Sequence, residues 1–294
     1  MALNKQTAVH LAKVCLWAYD FDESREAELL TFKNKKLVRD LQIGDDGKIE
    51  KSFAGVVEYD DVVIVAFQGT ITEFGVDGVF RLDSLVDWID NFKVKQWPRS
   101  KTGLPGKVHE GFFSQLDLIY DDVCNALKTM SGKPIIVTGH SQGGAIASLA
   151  TKRLKSDGFE VSETYTFAAP RCGDAVFAKS INTPFHRIEY GHDVVPHVPP
   201  ILQTKILGTL SSFLKEFSLP HAVSALTKLA SKVGKLKYAG VGKLTYRSED
   251  GPLQTDISAT KERALFKRRK RELIVAGKRL VRHHGLEHYI KMFE

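Results

Sequence analysis

The stretch Pro134-Ile135-Ile136-Val137-Thr138-Gly139-His140-Ser141-Gln142-Gly143-Gly144 constrains this chain more than any other. An apolar run stops abruptly at a serine, with Gly139 before it and Gly143 after it. A strand that reverses straight into a helix forces the residue at the turn into a strained backbone, and flanking residues without a Cβ let the two segments pass. That turn pushes the Ser141 hydroxyl outward. It also sets Ser141 at the start of a predicted helix, Gly143 to Leu154, with Ala145, Ile146, Leu149, Ala150 and Leu154 at apolar positions. At a helix start, backbone N–H groups point outward and the dipole favours developing negative charge. Ser141 therefore reads as a nucleophile. G-x-S-x-G alone also occurs in ordinary turns, and the strand before it and helix after it supply the context the pattern needs.

Around this stretch the pattern alternates between strand and helix. Residues 8–19 and 24–41 are expected to be helical, the second closing at the turn-rich Ile43-Gly44-Asp45-Asp46-Gly47. Phe53 to Tyr59 and Val62 to Phe67 read as a hairpin joined at Asp60-Asp61, ending in Gln68-Gly69-Thr70. Residues 71–106 are irregular, with a helical spacing over Asp83 to Phe92, and read either as a mobile cover over a site or as a helix packed on the core. A helix from Val108 to Leu127, strands Val161 to Ala168 and Phe185 to Tyr190, and a short helix Ala175 to Ser180 complete the alternation. This predicts an α/β fold with a mostly parallel sheet covered on both faces, whose site lies at the carboxyl ends of the strands. Thr70, Ser141, Arg171 and Asp193 all fall at such ends.

Bulk properties bound the reading. A chain of 294 residues with 43% hydrophobic residues can bury a sizeable core, and residues 1–294 read as one domain. There is no apolar run of about 18 residues to span a membrane. Ala8 to Tyr19 carries His10 and Lys13, too polar for a signal-peptide core, and Cys15, Cys124 and Cys172 are far apart with no metal spacing. A protein cytoplasmic as synthesised, with free thiols, is the expectation, with leaderless export and peripheral membrane association left open. The net charge of +7 is uneven, −4 over residues 1–200 and +11 over 201–294. Two amphipathic helices are predicted over 203–237 and a long basic helix over 261–282, the latter containing Lys267-Arg268-Arg269-Lys270-Arg271. A run of this kind reads as a solvated face or as attracted to an anionic lipid surface. Nucleic acid is disfavoured, because no aromatic interleaving accompanies the charge.

A serine hydroxyl needs a base to take its proton and an acid to hold that base, and in hydrolases built on this elbow the order is Ser, then Asp or Glu, then His. Asp193, opening a loop at a strand end, is the best acid; Asp174 is its rival but suits the cap of the helix beginning at Ala175. His10, His109, His140 and His186 precede the acid, His197 sits in its own proline-bounded loop, and His221 lies in the helical insert. His283, His284 and His288 remain.

Five segments together resemble the class 3 lipases of the α/β-hydrolase superfamily. They are Val65-Ala66-Phe67-Gln68-Gly69-Thr70, Val108-His109-Glu110-Gly111-Phe112, Val137 to Gly144, Ala169-Pro170-Arg171-Cys172-Gly173-Asp174, and His192 to Pro200, in the family's order. The resemblance implies an α/β-hydrolase fold and a serine hydrolase cleaving lipid esters, with Ser141 as nucleophile and Asp193 as acid. It implies His284 as base, because the family's histidine stands five residues before a tyrosine, here Tyr289. It implies an oxyanion hole from the backbone N–H groups of Thr70 and Gln142. That chemistry calls for no metal or cofactor. Two departures stand out: Gln68 and Gln142 replace the family's usual arginine and leucine, and the segments 203–237 and 261–282 lengthen the path from Asp193 to His284.

Overall fold

The computed structural model describes residues 2–20, 29, 32–43, 49–69, 95–130, 132–193, 195–198, 237–265 and 283–294. Helix α1 (Lys5–Asp20) is followed by strands β1 (Asn34–Ile43), β2 (Ile49–Glu58) and β3 (Val63–Phe67), then β4 (Gln96–Pro98), α2 (Arg99–Thr102) and β5 (Lys107–His109). Next come α3 (Glu110–Thr129), β6 (Ile135–His140), α4 (Gln142–Ser156), β7 (Val161–Phe167), α5 (Ala175–Ser180) and β8 (Phe185–Tyr190). Strands β9 (Lys243–Arg247) and β10 (Gln254–Ile257), a helix over 259–265 (α6) and α7 (Leu286–Lys291) complete the described elements.

The main sheet runs β1-β2-β3-β6-β7-β8-β9-β10. Its centre, from β3 through β6, β7 and β8 to β9, is parallel, and β1, β2 and β10 are antiparallel additions at the edges. Strand β3 shows why the centre is apolar throughout. Val63, Val65 and Phe67 pack with Leu116, Ile119, Ala145 and Leu149 of α3 and α4. Ile64 and Ala66 pack on the opposite face with Leu11, Trp17, Leu286 and Tyr289 of α1 and α7. Alternate side chains thus enter two cores, which removes the half-polar pattern of a one-faced strand.

One element differs from expectation. Residues 34–41, part of the helix expected over 24–41, lie instead in strand β1 (Asn34–Ile43), paired with β2 from Asn34↔Glu58 to Ile43↔Ile49. Lys, Leu and Arg favour helix in isolation, but here Val38 is buried beside Ala54 and Val56 of β2, and exposed Lys35 and Lys36 suit an edge strand. Strand β10 left no pattern to read, because Gln254, Thr255 and Asp256 are all exposed. The expected helix over Asp83 to Phe92, its role as a cover, the helical insert 203–237 except Lys237, and most of the basic helix 261–282 lie outside the described residues.

Helix α3 begins at a histidine cap. The His109 Nδ1 accepts the Phe112 N–H at 3.3 Å, so the ring is neutral with its proton on Nε2. Burial pushes the His109 imidazole down to about 3. An unfolded chain takes that proton near the ordinary value of about 6.5, so the contribution is fully present above that pH and is lost as pH falls below it. Urea unfolding at about pH 7 and about pH 5 is expected to show a loss to which His109 contributes about 2 kcal/mol. In His109→Asn, which keeps a capping acceptor that does not titrate, the difference between the two pH values should shrink.

Candidate active site

The turn after β6 has the geometry that its sequence demands. Ser141 adopts φ 55° and ψ −129°, a left-handed backbone on a residue with a side chain, which costs on the order of 1–3 kcal/mol. Its N–H donates to the Phe167 carbonyl at 2.9 Å, and its own carbonyl accepts the Gly144 N–H at 3.0 Å. A Cβ on Gly143 would lie 2.1 Å from the Phe67 carbonyl oxygen, and one on Gly139 would lie 2.3 Å from the Gly143 oxygen. The glycines are therefore required where β3, β6 and α4 cross.

The structure brings Ser141, His284 and Asp193 together. His284 Nε2 lies 2.9 Å from Ser141 Oγ, and His284 Nδ1 lies 2.9 Å from Asp193 Oδ2. A carboxylate accepts, so Nδ1 carries the proton and Nε2 offers its lone pair to the serine hydroxyl. Asp193 has no exposed surface, and a buried charge must be hydrogen-bonded. Its Oδ1 accepts the Val195 N–H at 2.9 Å, and its Oδ2 accepts the Tyr289 hydroxyl at 2.6 Å as well as His284. Burial and the Asp193 charge push the Tyr289 phenol well above its ordinary value, so it stays a donor.

The rival residues have other partners. Asp174 caps α5, accepting the Phe177 N–H at 2.9 Å. His283 Nδ1 accepts the His192 N–H at 3.0 Å, and His288 stacks on Tyr190 with ring centroids 5.5 Å apart. His197 Nε2 lies 3.6 Å from a carboxylate oxygen of Glu189 in β8. Gln142 opens α4 beside Ser141, and its side-chain amide donates to Gln115 of α3. Thr70 lies outside the described residues. Gly69 before it is held close, since a Cβ there would lie 2.1 Å from the Tyr19 hydroxyl. Sequence reasoning gave no role to Tyr19, and it used Tyr289 only as a spacing marker. Nothing local marks an aromatic residue on an amphipathic helix as a site residue; only the packed fold does.

The pattern of the family described as Lipase (class 3) matches residues 64–203. The chain is 34% identical to "Secreted mono- and diacylglycerol lipase 1" of Fusarium solani over 123 residues, 40% of this chain and 36% of that protein. It is 33% identical to a lipase of Rhizomucor miehei over 171 residues, 53% of this chain and 45% of that one. The chain thus spans about a third to under half of the length of these curated relatives. Among solved structures, the triacylglyceride lipase of Rhizomucor miehei aligns with a TM-score of 0.61 at 16% identity, covering 97% of this chain and 98% of that one. Lipase II of Rhizopus niveus aligns at 0.59 and 21%, covering 87% of each.

The cytoplasmic expectation is corrected here, because relatives from Fusarium solani and Penicillium are named secreted lipases. The polarity of residues 8–19 has a packing cause: α1 buries Leu11, Val14, Cys15 and Trp17 and turns its other side outward. An amphipathic helix of that kind says nothing of compartment. The three cysteines are likewise buried and unpaired, as core residues are. The class 3 lipase pattern thus runs from β3 to beyond Asp193, just under half of the chain, and the α/β-hydrolase fold is shared along most of its length.

Proposed function

We propose that the protein hydrolyses carboxylic ester bonds of acylglycerols through an acyl-enzyme on Ser141. The observation that carries this reading is the buried relay from Ser141 Oγ to His284 Nε2 and from His284 Nδ1 to Asp193, each at 2.9 Å. His284 Nε2 takes the hydroxyl proton as Ser141 Oγ attacks the ester carbonyl carbon, and Asp193 stabilises the imidazolium through Nδ1–H. The oxyanion is held by the backbone N–H groups of Gln142 and Thr70. His284 returns the proton to the departing alcohol, and a water deprotonated by the same nitrogen releases the fatty acid and restores the serine. The names of the relatives, mono- and diacylglycerol lipases among them, support acylglycerols as the substrate class.

The reading of residues 1–294 as one domain belongs to this proposal, supported by α7 packing with α1 and β3 in one core. So does a peripheral contact of Lys267 to Arg271 with an anionic lipid surface, which rests on the charge of that run and on a substrate that resides in lipid aggregates.

Ser141→Ala is expected to lower hydrolysis of monoolein, diolein and triolein by at least about 10⁴-fold while leaving the folded structure intact. Activity near wild type in that variant would remove the assignment, and cleavage of phosphatidylcholine or of short soluble esters alone would remove the acylglycerol reading. Tyr289→Phe deprives Asp193 of a charge-assisted hydrogen bond and should lower kcat/KM roughly tenfold. Sedimentation with vesicles of pure phosphatidylcholine and of phosphatidylcholine with phosphatidylserine tests the surface contact. More protein should pellet with the anionic vesicles, and equal recovery in both would refute it.

A further inference from the structure

We propose that His140, fixed by Tyr19, is a positioning residue that holds the main chain of His284 and thereby aims its ring between Ser141 and Asp193; this rests on the reading of Ser141 as nucleophile. His284 must meet two atoms at once, Ser141 Oγ and Asp193 Oδ2, each at 2.9 Å. A ring on a loose main chain would lose one contact or the other. The His284 carbonyl oxygen lies 2.8 Å from His140 Nε2. His140 is the residue immediately before the serine, so the strand that presents the nucleophile also grips the backbone of the base.

The direction of each bond is fixed by chemistry. A carbonyl only accepts, so the His140 proton is on Nε2 and its Nδ1 carries a lone pair. That lone pair lies 2.7 Å from the Tyr19 hydroxyl, which therefore donates. Tyr19 is held in turn at the end of α1, where its own carbonyl accepts the Gln68 side-chain amide at 2.5 Å and its hydroxyl rests against Gly69. A path of contacts thus runs from the end of β3 through Tyr19 and His140 to His284. With Tyr19 donating, the other tautomer of His140, which would leave the His284 carbonyl without a donor, is disfavoured.

His140 also has to stay uncharged. Its ring centroid is 4.7 Å from that of His284, where the imidazolium forms during the reaction, and a second positive charge there would oppose proton transfer. Burial, with the neighbouring His284 adding to it, pushes the His140 imidazole well below its ordinary value against the smaller opposing pull of the carbonyl. An ordinary buried histidine would satisfy its two nitrogens anywhere in the core. Here both bonds end on the machinery, one on the backbone of the base and one on the tyrosine packed against the Gln68-Gly69 strand end.

The test uses His140→Leu, His140→Gln and Tyr19→Phe in the full chain, with thermal unfolding to confirm the fold. The readouts are the rate constant for labelling by a fluorophosphonate and kcat and KM on a soluble short-chain ester. Labelling needs an activated serine and no lipid, so failure of the acylglycerol reading would appear only in wild-type lipid hydrolysis and would not change the ranking of these variants. His140→Leu should lower labelling and kcat by about 10–100-fold with KM within about twofold, as expected for an interaction that serves the transition state. His140→Gln, whose amide N–H can serve the carbonyl, should recover most of that loss, and Tyr19→Phe should lose about 3–10-fold. A folded His140→Leu that labels at the wild-type rate overturns the proposal, as does a His140→Gln no better than His140→Leu. If His140→Leu does not fold, Tyr19→Phe at the wild-type labelling rate overturns it.

Discussion

A fully buried carboxylate is the constraint on which the rest of this structure depends. Asp193 leaves water entirely, and that is tolerable only because donors reach it from its own loop at Val195 and from the far end of the chain at His284 and Tyr289. Those donors oblige the C-terminal segment to fold back over the carboxyl ends of β6 and β8. Its docking on α1 through Leu286, Tyr289 and Met292 supplies apolar burial that helps to offset the cost of holding a charge inside. Tyr289 belongs to both arrangements, donating to Asp193 and packing in the second core.

Strain at Ser141 is the other half of the arrangement. A serine in the left-handed region persists only where its surroundings over-determine it, and here the bonds to Phe167 and Gly144 and the close crossing at Gly139 and Gly143 do so. The sheet gives these bonds their rigidity, since β6 is paired with β3 from Ile135 to Gly139 and with β7 as far as His140. Ser141 and Asp193 thus follow strands whose positions are set by parallel pairing, while His284 reaches them from the turn before α7.

Much of the central sheet was legible because its strands are short apolar runs that end in small or polar turn residues. The elbow could be read residue by residue, since each glycine there answers a steric need that a sequence can display. Strand β1 was not legible: Asn34-Lys35-Lys36-Leu37-Val38-Arg39 carries helix-favouring residues, and only ladder pairing with β2 decides its state. Asp193 and the choice among His283, His284 and His288 were reachable by order and resemblance, but not by local pattern. Adjacent histidines differ in role only through the partners that the fold brings to them. Tyr19 and His140 mark the limit, since one was only the end of a predicted helix and the other was set aside by chain order, and the distances to His284 alone connect them.

Strand β9 has a consequence for how such a chain can change. Arg247, at its end, accepts the Gly191 N–H on its carbonyl at 2.8 Å and donates through its guanidinium to the Met292 carbonyl at 2.7 Å, while Tyr246 donates to the Gly191 carbonyl at 3.2 Å. The turn bearing the acid and the segment bearing the base are thus cross-braced by one strand that enters after the stretch 199–236. A change in β9 that displaces Arg247 therefore loosens the acid's turn and the C-terminal segment together, although neither neighbours it in sequence.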